Sequence, residues 1–490
     1  MITNIKLKNI SLYNQSLLIS FLFFFLFLVK LHTKTFFDDE LATIYILNKH
    51  SDIFSLYNYI NEWDVSPPLS YLLIYIGSKI FSYQYVPIIF LPLQLFCLIK
   101  FADFSSNYFN FNQNVKSAFK FIVILNPTFL LWCTSLRWYS IWVPLALLTI
   151  SIFYFKEKKH NKDIWILLLS FSILFHISYL SIVFILSLII SNLNFFFKDL
   201  FIFIKKNIFL FTIFIIFNLP QIYFFFNVHL NNSSNQFGSY ILSLVFPLIT
   251  IIFGNSVFPL EIISLIYFLF FLIIIYFNFS NIKINKILIY KDIIIFFISF
   301  YFLLFTFQLG FKSRHSIILY YLFLIFVFIN LNLIINKKNF FFTFVSIFIL
   351  MNLLGLKNTL FQTNTIKNNI NFPVKKIITF INENSQFCAD VKIYTSNINL
   401  KFYLNNENKN FFINNKVNEQ KELTHENCIF IVKSFSGEDN ETENELINFL
   451  YEKHQFVLNL KLIEYDKFNF IKKKLFLKNN DNDFSVKILY

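Results

Sequence analysis

Residues 16–29 read SLLISFLFFFLFLV, a run without a single charged side chain, and runs of this kind decide the fold. Similar runs recur at 208–219 (IFLFTIFIIFNL), 263–277 (ISLIYFLFFLIIIYF) and 320–335 (YYLFLIFVFINLNLII). With their flanks these runs are long enough to cross a bilayer, which takes about 20 apolar residues. Each run therefore predicts a transmembrane helix.

The composition of the whole chain agrees with this interpretation. Of the 490 residues, 56% are hydrophobic and only 14% are charged, and the mean hydropathy is +0.59. A soluble globular protein of this length does not need so much apolar surface. We therefore predict an all-α polytopic membrane bundle of about ten to twelve transmembrane helices, followed by a C-terminal soluble α/β domain.

The net charge of +14 does not indicate a nucleic-acid partner, because the lysines cluster in short turns between the apolar runs. Cytoplasmic loops of membrane proteins are enriched in basic residues. Lys6 and Lys8 thus place the N-terminus in the cytoplasm. The basic turns predict that 156–162, 198–207, 278–292 and 336–340 are cytoplasmic, and that 132–138, 176–179, 227–240 and 310–316 are extracytoplasmic.

Two places leave the number of spans open. The runs 69–81 and 86–102 are joined by a very short connection, and the run 241–253 is short for a span. One of these segments is a candidate re-entrant segment. The chain has only six glycines, so few positions are available to break helices or to let two helices pack closely.

The chain is predicted to have two domains. Residues 1–364 are the transmembrane domain, and within it 33–66 form a long first extracytoplasmic loop with an acidic motif. Residues 365–490 are polar, and alternating runs such as VKIYTS (391–396) predict strands of a soluble extracytoplasmic α/β domain. Cys388 and Cys428 each adjoin a predicted strand there, so an oxidising compartment would permit a disulfide between them.

Arg137 and Arg314 are the only arginines among the 42 Lys+Arg residues. Both lie where long apolar runs begin. Arginine carries a flat, permanently charged fork that binds phosphate or carboxylate through two hydrogen bonds. The two arginines therefore indicate anion binding at the membrane edge, and Lys312 and His315 add cations beside the second one. The alternative is a cation that simply extends from the end of a span to water.

Acidic residues are scarce in the membrane half, so the cluster after the first apolar run is informative. Asp38, Asp39 and Glu40 follow that run, and Asp64 lies just before a Pro-Pro pair. One interpretation is a solvated loop start with a helix cap at Asp64. The other is a carboxylate general base at the membrane surface, with a second acid that orients the acceptor or holds a divalent metal. No dedicated metal-ligand spacing is present.

Five stretches, taken in order, resemble the multi-pass C-type glycosyltransferases, the protein O-mannosyltransferase and aminoarabinose-transferase-like group. The resemblance covers residues 30–335 and excludes the polar tail. It rests on the ordered set rather than on any one motif. The stretches are FFDDELATIYIL (36–47), EWDVSPPLSYLLIYIGSKIF (62–81), NPTFLLWCTSLRWYSIWVPLALLTISIFYF (126–155), ILFHISYLSIVFIL (173–186) and SRHSIILYYLFLIF (313–326).

The resemblance implies roles for individual residues. Asp39 corresponds to the first acid of the family's Asp-Glu pair, the presumed base, Glu40 to its partner, and Asp64 to the acid before the Pro-Pro motif. Asp38 is an additional acid that competes with Asp39 for the role of base. Tyr139 belongs to the Arg-x-Tyr segment, and His176 to the His-x-x-Tyr turn.

One position departs from the family pattern. Many relatives place His directly before the Pro pair, where this chain has Ser66, and this puts a metal or acceptor role at that position in doubt.

The implied function is transfer of a sugar from a polyprenyl-phosphate donor to an extracytoplasmic glycan, lipid or protein acceptor, at the inner (plasma) membrane. Arg137, Arg314 and Lys312 would bind the donor phosphate. A transporter or flippase of lipid-linked sugars is the alternative, and a glycan polymerase is another. The nearly charge-free spans count against the transporter, and the early position of the acidic loop counts against the polymerase.

Overall fold

The computed structural model describes the residues 12–34, 36, 38–63, 66–156, 160–226, 240–257, 262–279, 291–307, 309, 313–333, 338–361 and the strands 390–395, 411–414, 427–434, 457–462 and 484–489. The chain divides into two units. Residues 1–34 and 43–361 form the first unit, and residues 35–42 and 362–490 form the second.

Helices account for nearly all of the described first unit. Three short turns lead directly into helices: the 3-10 turns Val86–Phe90 and Ser313–Ser316, and the π-helical turn Phe195–Leu200. The helices are α1 Leu12–Thr33, α2 Asp38–Lys49, α3 Ile53–Trp63, α4 Leu69–Ser78, α5 Leu91–Tyr108, α6 Gln113–Ile124, α7 Pro127–Cys133, α8 Tyr139–Tyr154, α9 Asn161–Ile177, α10 Leu180–Ser191, α11 Phe201–Lys206, α12 Ile208–Phe224, α13 Tyr240–Phe253, α14 Ile262–Phe279, α15 Lys291–Thr306, α16 Ile317–Leu333 and α17 Lys338–Phe361.

Several of these helices are long and apolar enough to cross a membrane. The described residues contain five such segments, and a sixth if α10 and 195–206, which meet at 99°, form one bent span. Shorter apolar helices lie between them. The chain is thus a multi-pass membrane protein, and the larger predicted number of spans stays a prediction. The five segments are Gln15–Thr33, Val86–Tyr108, Gln113–Cys133, Arg314–Leu333 and Phe342–Leu360.

Three spans run in the same direction and end together: α1, α6 continued by α7, and α17. Ser117 of α6 donates to Gln15 near the start of α1 (3.0 Å), and Lys34 Nζ, just beyond α1, donates to Thr134 O just beyond α7 (2.6 Å). α17 also ends here, because Thr33 Oγ1 donates to Leu360 O at 2.8 Å. We call this end of the bundle the Thr33 end.

The segment 69–81 does not cross the bundle. Tyr71, near the start of α4, contacts Arg137 in the connection that follows α7. After α4, Gln84 Nε2 donates to Leu31 O at 2.5 Å, again at the Thr33 end. The last residues of α13 also lead to this end, since Asn358 of α17 donates to Ser256 O at 3.1 Å. Both segments that the sequence singled out as short therefore meet residues of the Thr33 end.

Two glycines allow close packing where segments of the bundle meet. Gly254 has a φ of +71°, which disfavours any side chain, and a Cβ there would overlap Thr128 Oγ1. A Cβ on Gly355 of α17 would lie 2.6 Å from Ser256 Oγ and 2.8 Å from Pro127 Cγ. These two glycines therefore lie at tight contacts, and one of them, Gly254, lies just after a helix rather than within one. The number of glycines is small, but these two lie where three segments converge.

The second unit contains one five-stranded sheet of β1 Asp390–Thr395, β2 Phe411–Asn414, β3 Asn427–Ser434, β4 Val457–Leu462 and β5 Phe484–Leu489. The strand order is β2-β1-β3-β5-β4. β1 pairs in parallel with β2 and β3, whereas β5 is antiparallel to β3 and β4. Cys428 lies in β3, but its side chain and Cys388 are outside the described residues, as is the predicted helix at 438–454. The helices of the predicted α/β domain and its disulfide stay predictions.

Candidate active site

The connection between α7 and α8 carries Arg137, and its shape follows from the local sequence. Asn126 begins α7 as its N-cap, with its side chain accepting from the Phe129 backbone N–H (3.2 Å), and Pro127 occupies the first helical turn. α7 ends at Cys133 after only seven residues, and α8 begins at Tyr139. The five residues between them form a break at the Thr33 end.

Two buried side chains hold this break in place. Gln94 of α5 is 0% exposed, and its Nε2 donates to Cys133 O and to Ser140 O, each at 3.0 Å. One amide thus ties the end of α7 to the start of α8. Lys34 binds Thr134 O from the other side, as described above. This role of Gln94 could not be predicted from the sequence, because its partners lie 39 and 46 residues away.

Arg137 joins helices α2 and α4. Its Nη1 donates to Thr43 Oγ1 of α2 (3.0 Å) and to the Tyr71 hydroxyl of α4 (2.9 Å). Its Cζ also lies 5.9 Å from the centroid of the Tyr71 ring. The guanidinium is therefore oriented by partners on both sides, which fixes the direction of its remaining donors.

The second arginine meets the same segment. Arg314 Cζ lies 5.5 Å from the centre of the Tyr139 ring, within cation–π range. Next to it, the His315 ring lies 5.7 Å from that of Trp138, and His315 Nδ1 donates to Leu309 O at 2.8 Å. The structure thus brings the two arginine-containing segments together. Lys312 lies outside the described residues.

Two lysines that the sequence reasoning missed lie at the end of α1. Lys30 is 3% exposed and Lys34 is 9% exposed, although both side chains are cationic. Charged groups inside a membrane protein are costly and commonly mark functional interiors. Their spacing of four residues places both on one face of α1. That spacing, at the end of an otherwise apolar run, was the signal that could have identified them.

The acidic cluster begins α2. Asp38 is its first residue, Asp39 is half-buried and Glu40 is 1% exposed. Acids in the first turn of a helix are stabilised by its dipole. Residues four apart share a helix face, so Asp39 lies on the face of α2 that carries Thr43. The side chain of Asp38 and the whole of Asp64 are outside the described residues.

His176 lies in a different polar cluster, between α9 and α12. Its ring is 5.1 Å from that of Phe217, and Ser172 of α9 donates to Asn218 Oδ1 at 2.8 Å. The Gln221 side chain of α12 donates to the Tyr179 hydroxyl. The described contacts of His176 thus connect it with α12. Among the described residues no group of three His, Cys, Asp or Glu side chains is arranged to hold a metal ion.

The chain is a multi-pass membrane protein built mainly of helices. Its fold is similar to that of a solved C-type glycosyltransferase, ArnT from Cupriavidus metallidurans, whose crystal structure contains bound undecaprenyl phosphate. The similarity covers 97% of this chain and 98% of that one, with a TM-score of 0.55 and 10% sequence identity. No family model and no curated protein sequence matches the chain. The resemblance inferred from the sequence is confirmed at the level of the fold.

Proposed function

We propose that this protein transfers a sugar from a polyprenyl-phosphate donor to an extracytoplasmic glycan, lipid or protein acceptor, at the inner (plasma) membrane. The observation that carries the proposal is that Arg314 Cζ lies 5.5 Å from the ring of Tyr139, which follows Arg137 by two residues. Two permanently charged forks on adjoining segments suit a phosphate, which carries several acceptor oxygens. The bound undecaprenyl phosphate of ArnT supports the same class of donor.

The reaction needs a base and a stabilised leaving group. The acceptor oxygen attacks the anomeric carbon, the bond from that carbon to the phosphate oxygen breaks, and polyprenyl phosphate leaves as an anion. The acceptor proton passes to a carboxylate, for which we propose Asp39, with Glu40 as its partner. Arg137 and Arg314, with Lys312, would stabilise the charge that develops on the phosphate. Asp64 would orient the acceptor.

The test uses the full-length protein reconstituted in lipid with undecaprenyl-phosphate sugars. We expect Asp39→Asn to lower kcat by at least about a hundredfold, since general-base catalysis contributes 10²–10⁴-fold, while donor affinity stays unchanged. Asp52→Asn is the matched control, because Asp52 is an exposed acid in the turn between α2 and α3. Normal turnover by Asp39→Asn would remove Asp39 from the mechanism. A wild-type protein that binds no polyprenyl phosphate would contradict the proposed function itself.

A further inference from the structure

Asn61 of α3 is a buried polar residue that the mechanism above does not use. It is 1% exposed, yet neither Oδ1 nor Nδ2 of its amide has a hydrogen-bond partner among the described residues. The other buried residues described in α3 are apolar, namely Leu56 and Ile60, both 0% exposed. Buried amides are nearly always hydrogen-bonded, because losing water without a replacement partner costs folding free energy. A polar partner from outside the protein would remove that cost.

Helices α3 and α4 place Asn61 at the level of Tyr71. The Tyr75 hydroxyl of α4 donates to Ser51 O, just before α3 begins, at 2.5 Å. α3 and α4 pack together, and the chain reverses between the end of α3 and the start of α4. The two helices are thus antiparallel, and Asn61 and Tyr71 lie at the end of the pair away from Ser51.

The contact between Tyr71 and Arg137 places this end of the pair at the site. Arg137 Nη1 donates to the Tyr71 hydroxyl at 2.9 Å, and Tyr71 lies two residues after the start of α4. Asn61 lies two residues before the end of α3, at the same end of the antiparallel pair. Asn61 therefore belongs to the same part of the site as Arg137.

We propose that Asn61 is a sugar-recognition residue, whose amide binds two neighbouring hydroxyl groups of the sugar carried by the lipid donor. This rests on the proposed function. The chemistry of the amide selects a sugar over the phosphate, because a phosphate offers acceptors only and would leave Oδ1 without a donor. A pair of sugar hydroxyls supplies both a donor and an acceptor. Arg137 would bind the phosphate, and Asn61 would distinguish sugars.

The experiment measures lipid binding to the full-length protein in nanodiscs. The probes are undecaprenyl phosphate and a panel of its mannose, glucose, galactose and aminoarabinose derivatives. For the sugar that the wild type binds best, we expect Asn61→Leu to lower affinity at least tenfold, with the affinity for undecaprenyl phosphate unchanged within twofold. Asn58→Leu, an exposed residue on the same helix, is the matched control and should change neither affinity.

A second measurement separates recognition from a structural role. If the amide is unsatisfied in the ligand-free protein, Asn61→Leu raises Tm, because leucine is of similar size and needs no partner. A fall in Tm shows that the amide is satisfied within the protein and overturns the inference. An equal loss of affinity for undecaprenyl phosphate and its sugar derivatives also overturns it. In both cases the proposed function still holds, provided that wild-type binding and the loss of turnover in Asp39→Asn are observed.

Discussion

At the scale of single residues, the contacts of Arg137 explain why this position is arginine in a chain that otherwise uses lysine. Nη1 of the guanidinium donates to both Thr43 and Tyr71. Because the guanidinium is planar, these two bonds also fix the directions of its other N–H groups. A lysine ammonium is a point charge on a flexible stem and cannot reproduce the fork. The chemistry of the arginine, and not its charge alone, is therefore required.

We expect Arg137→Lys to retain the fold but to raise KM for the lipid donor at least about tenfold, equivalent to 1.4 kcal/mol. Steady-state kinetics with varied donor and saturating acceptor measure this change. Lys79→Gln is the control, because Lys79 also contacts an aromatic ring of α4, at 4.4 Å from the centre of Tyr75, but is exposed. An unchanged KM in Arg137→Lys would show that the charge alone suffices.

Gln94 yields a second prediction at this scale. Gln94→Leu removes both hydrogen bonds that tie the end of α7 to the start of α8. The two carbonyl oxygens lose a buried donor, at about 1–3 kcal/mol, and the connection that carries Arg137 is no longer fixed. We expect kcat/KM for the donor to fall at least about tenfold. Ser105→Ala is the matched control, since it removes a buried hydrogen bond of α5 that is local to the helix. Equal effects of both variants would mean that only stability was lost.

The sequence predicted some of these residues and could not predict others. Arg137 and Arg314 stood out because rare residue types in a biased composition carry information. Gln94, Lys34 and Asn61 did not, because their importance depends on partners far away along the chain. A buried glutamine looks the same in sequence whether it faces lipid, a helix or a chain break. The roles of Asp38 and Asp64 stay predictions from the resemblance.

At the scale of helices, the start of α9 shows how a turn is fixed. Asp163 accepts from the His160 backbone N–H at 2.8 Å and binds Lys156 Nζ at 2.6 Å, and its side chain is 5% exposed. Burial alone would raise the pKa of this carboxyl, but the hydrogen bonds and charge of Lys156, together with the bond from His160, lower it below its ordinary value. Asp163 lies in the first turn of α9, before the apolar part of the helix.

We predict that Asp163→Asn lowers stability by about 1–3 kcal/mol at neutral pH, because the half-buried Lys156 ammonium and the His160 N–H lose an ionised partner. A carboxyl with a lowered pKa in the folded state stabilises the protein above its unfolded-state pKa of about 3.9. This stabilisation decreases as the pH falls through the folded-state pKa. Thermal unfolding in detergent from pH 7 to pH 3 should show the Tm difference between wild type and variant shrinking below pH 4. A constant difference would show that the charge plays no part.

The convergence of α13, α17 and the start of α7 gives another prediction at this scale. Gly355→Ala should lower Tm, because its Cβ meets Ser256 and Pro127, and overpacking of this kind costs about 1–3 kcal/mol. Adding Ser256→Ala removes the nearer of the two side-chain atoms and should recover part of the loss. The double variant is therefore expected to be more stable than Gly355→Ala alone. If the effects of the two substitutions on Tm simply add, the Cβ introduced by Gly355→Ala does not clash with Ser256.

At the scale of the whole molecule, the sequence predicted the bundle and the fold family because apolar run length and ordered motifs are encoded locally. The sequence alone could not show which short apolar runs cross the membrane, because length does not distinguish a short transmembrane helix from a helix on the membrane surface. For α4 the structure decides the question. Gln84, which follows α4, donates to Leu31 O at the Thr33 end, so α4 does not cross the bundle. The predicted number of spans stays open for the same reason.

Membrane topology can be tested by cysteine labelling in a variant that lacks the four native cysteines. Ser82→Cys, in the exposed connection after α4, should react with an impermeant maleimide added from outside. Asn110→Cys, at the opposite end of α5, should react only after the membrane is opened. A tag on the C-terminus should be accessible from outside, because α17 ends together with α1. Labelling of Asn110→Cys from outside would invert the predicted orientation.

The contact between the rings of Trp138 and His315 has a consequence for biosynthesis. About 180 residues separate these partners, and ribosomes add roughly 5–20 residues per second, so the second partner is made some 10–35 seconds after the first. Throughout that interval Trp138 lacks this ring partner, and the connection that carries Arg137 stays open to the translocation machinery and to lipid. Insertion factors that shield polar groups would act on this connection at that stage.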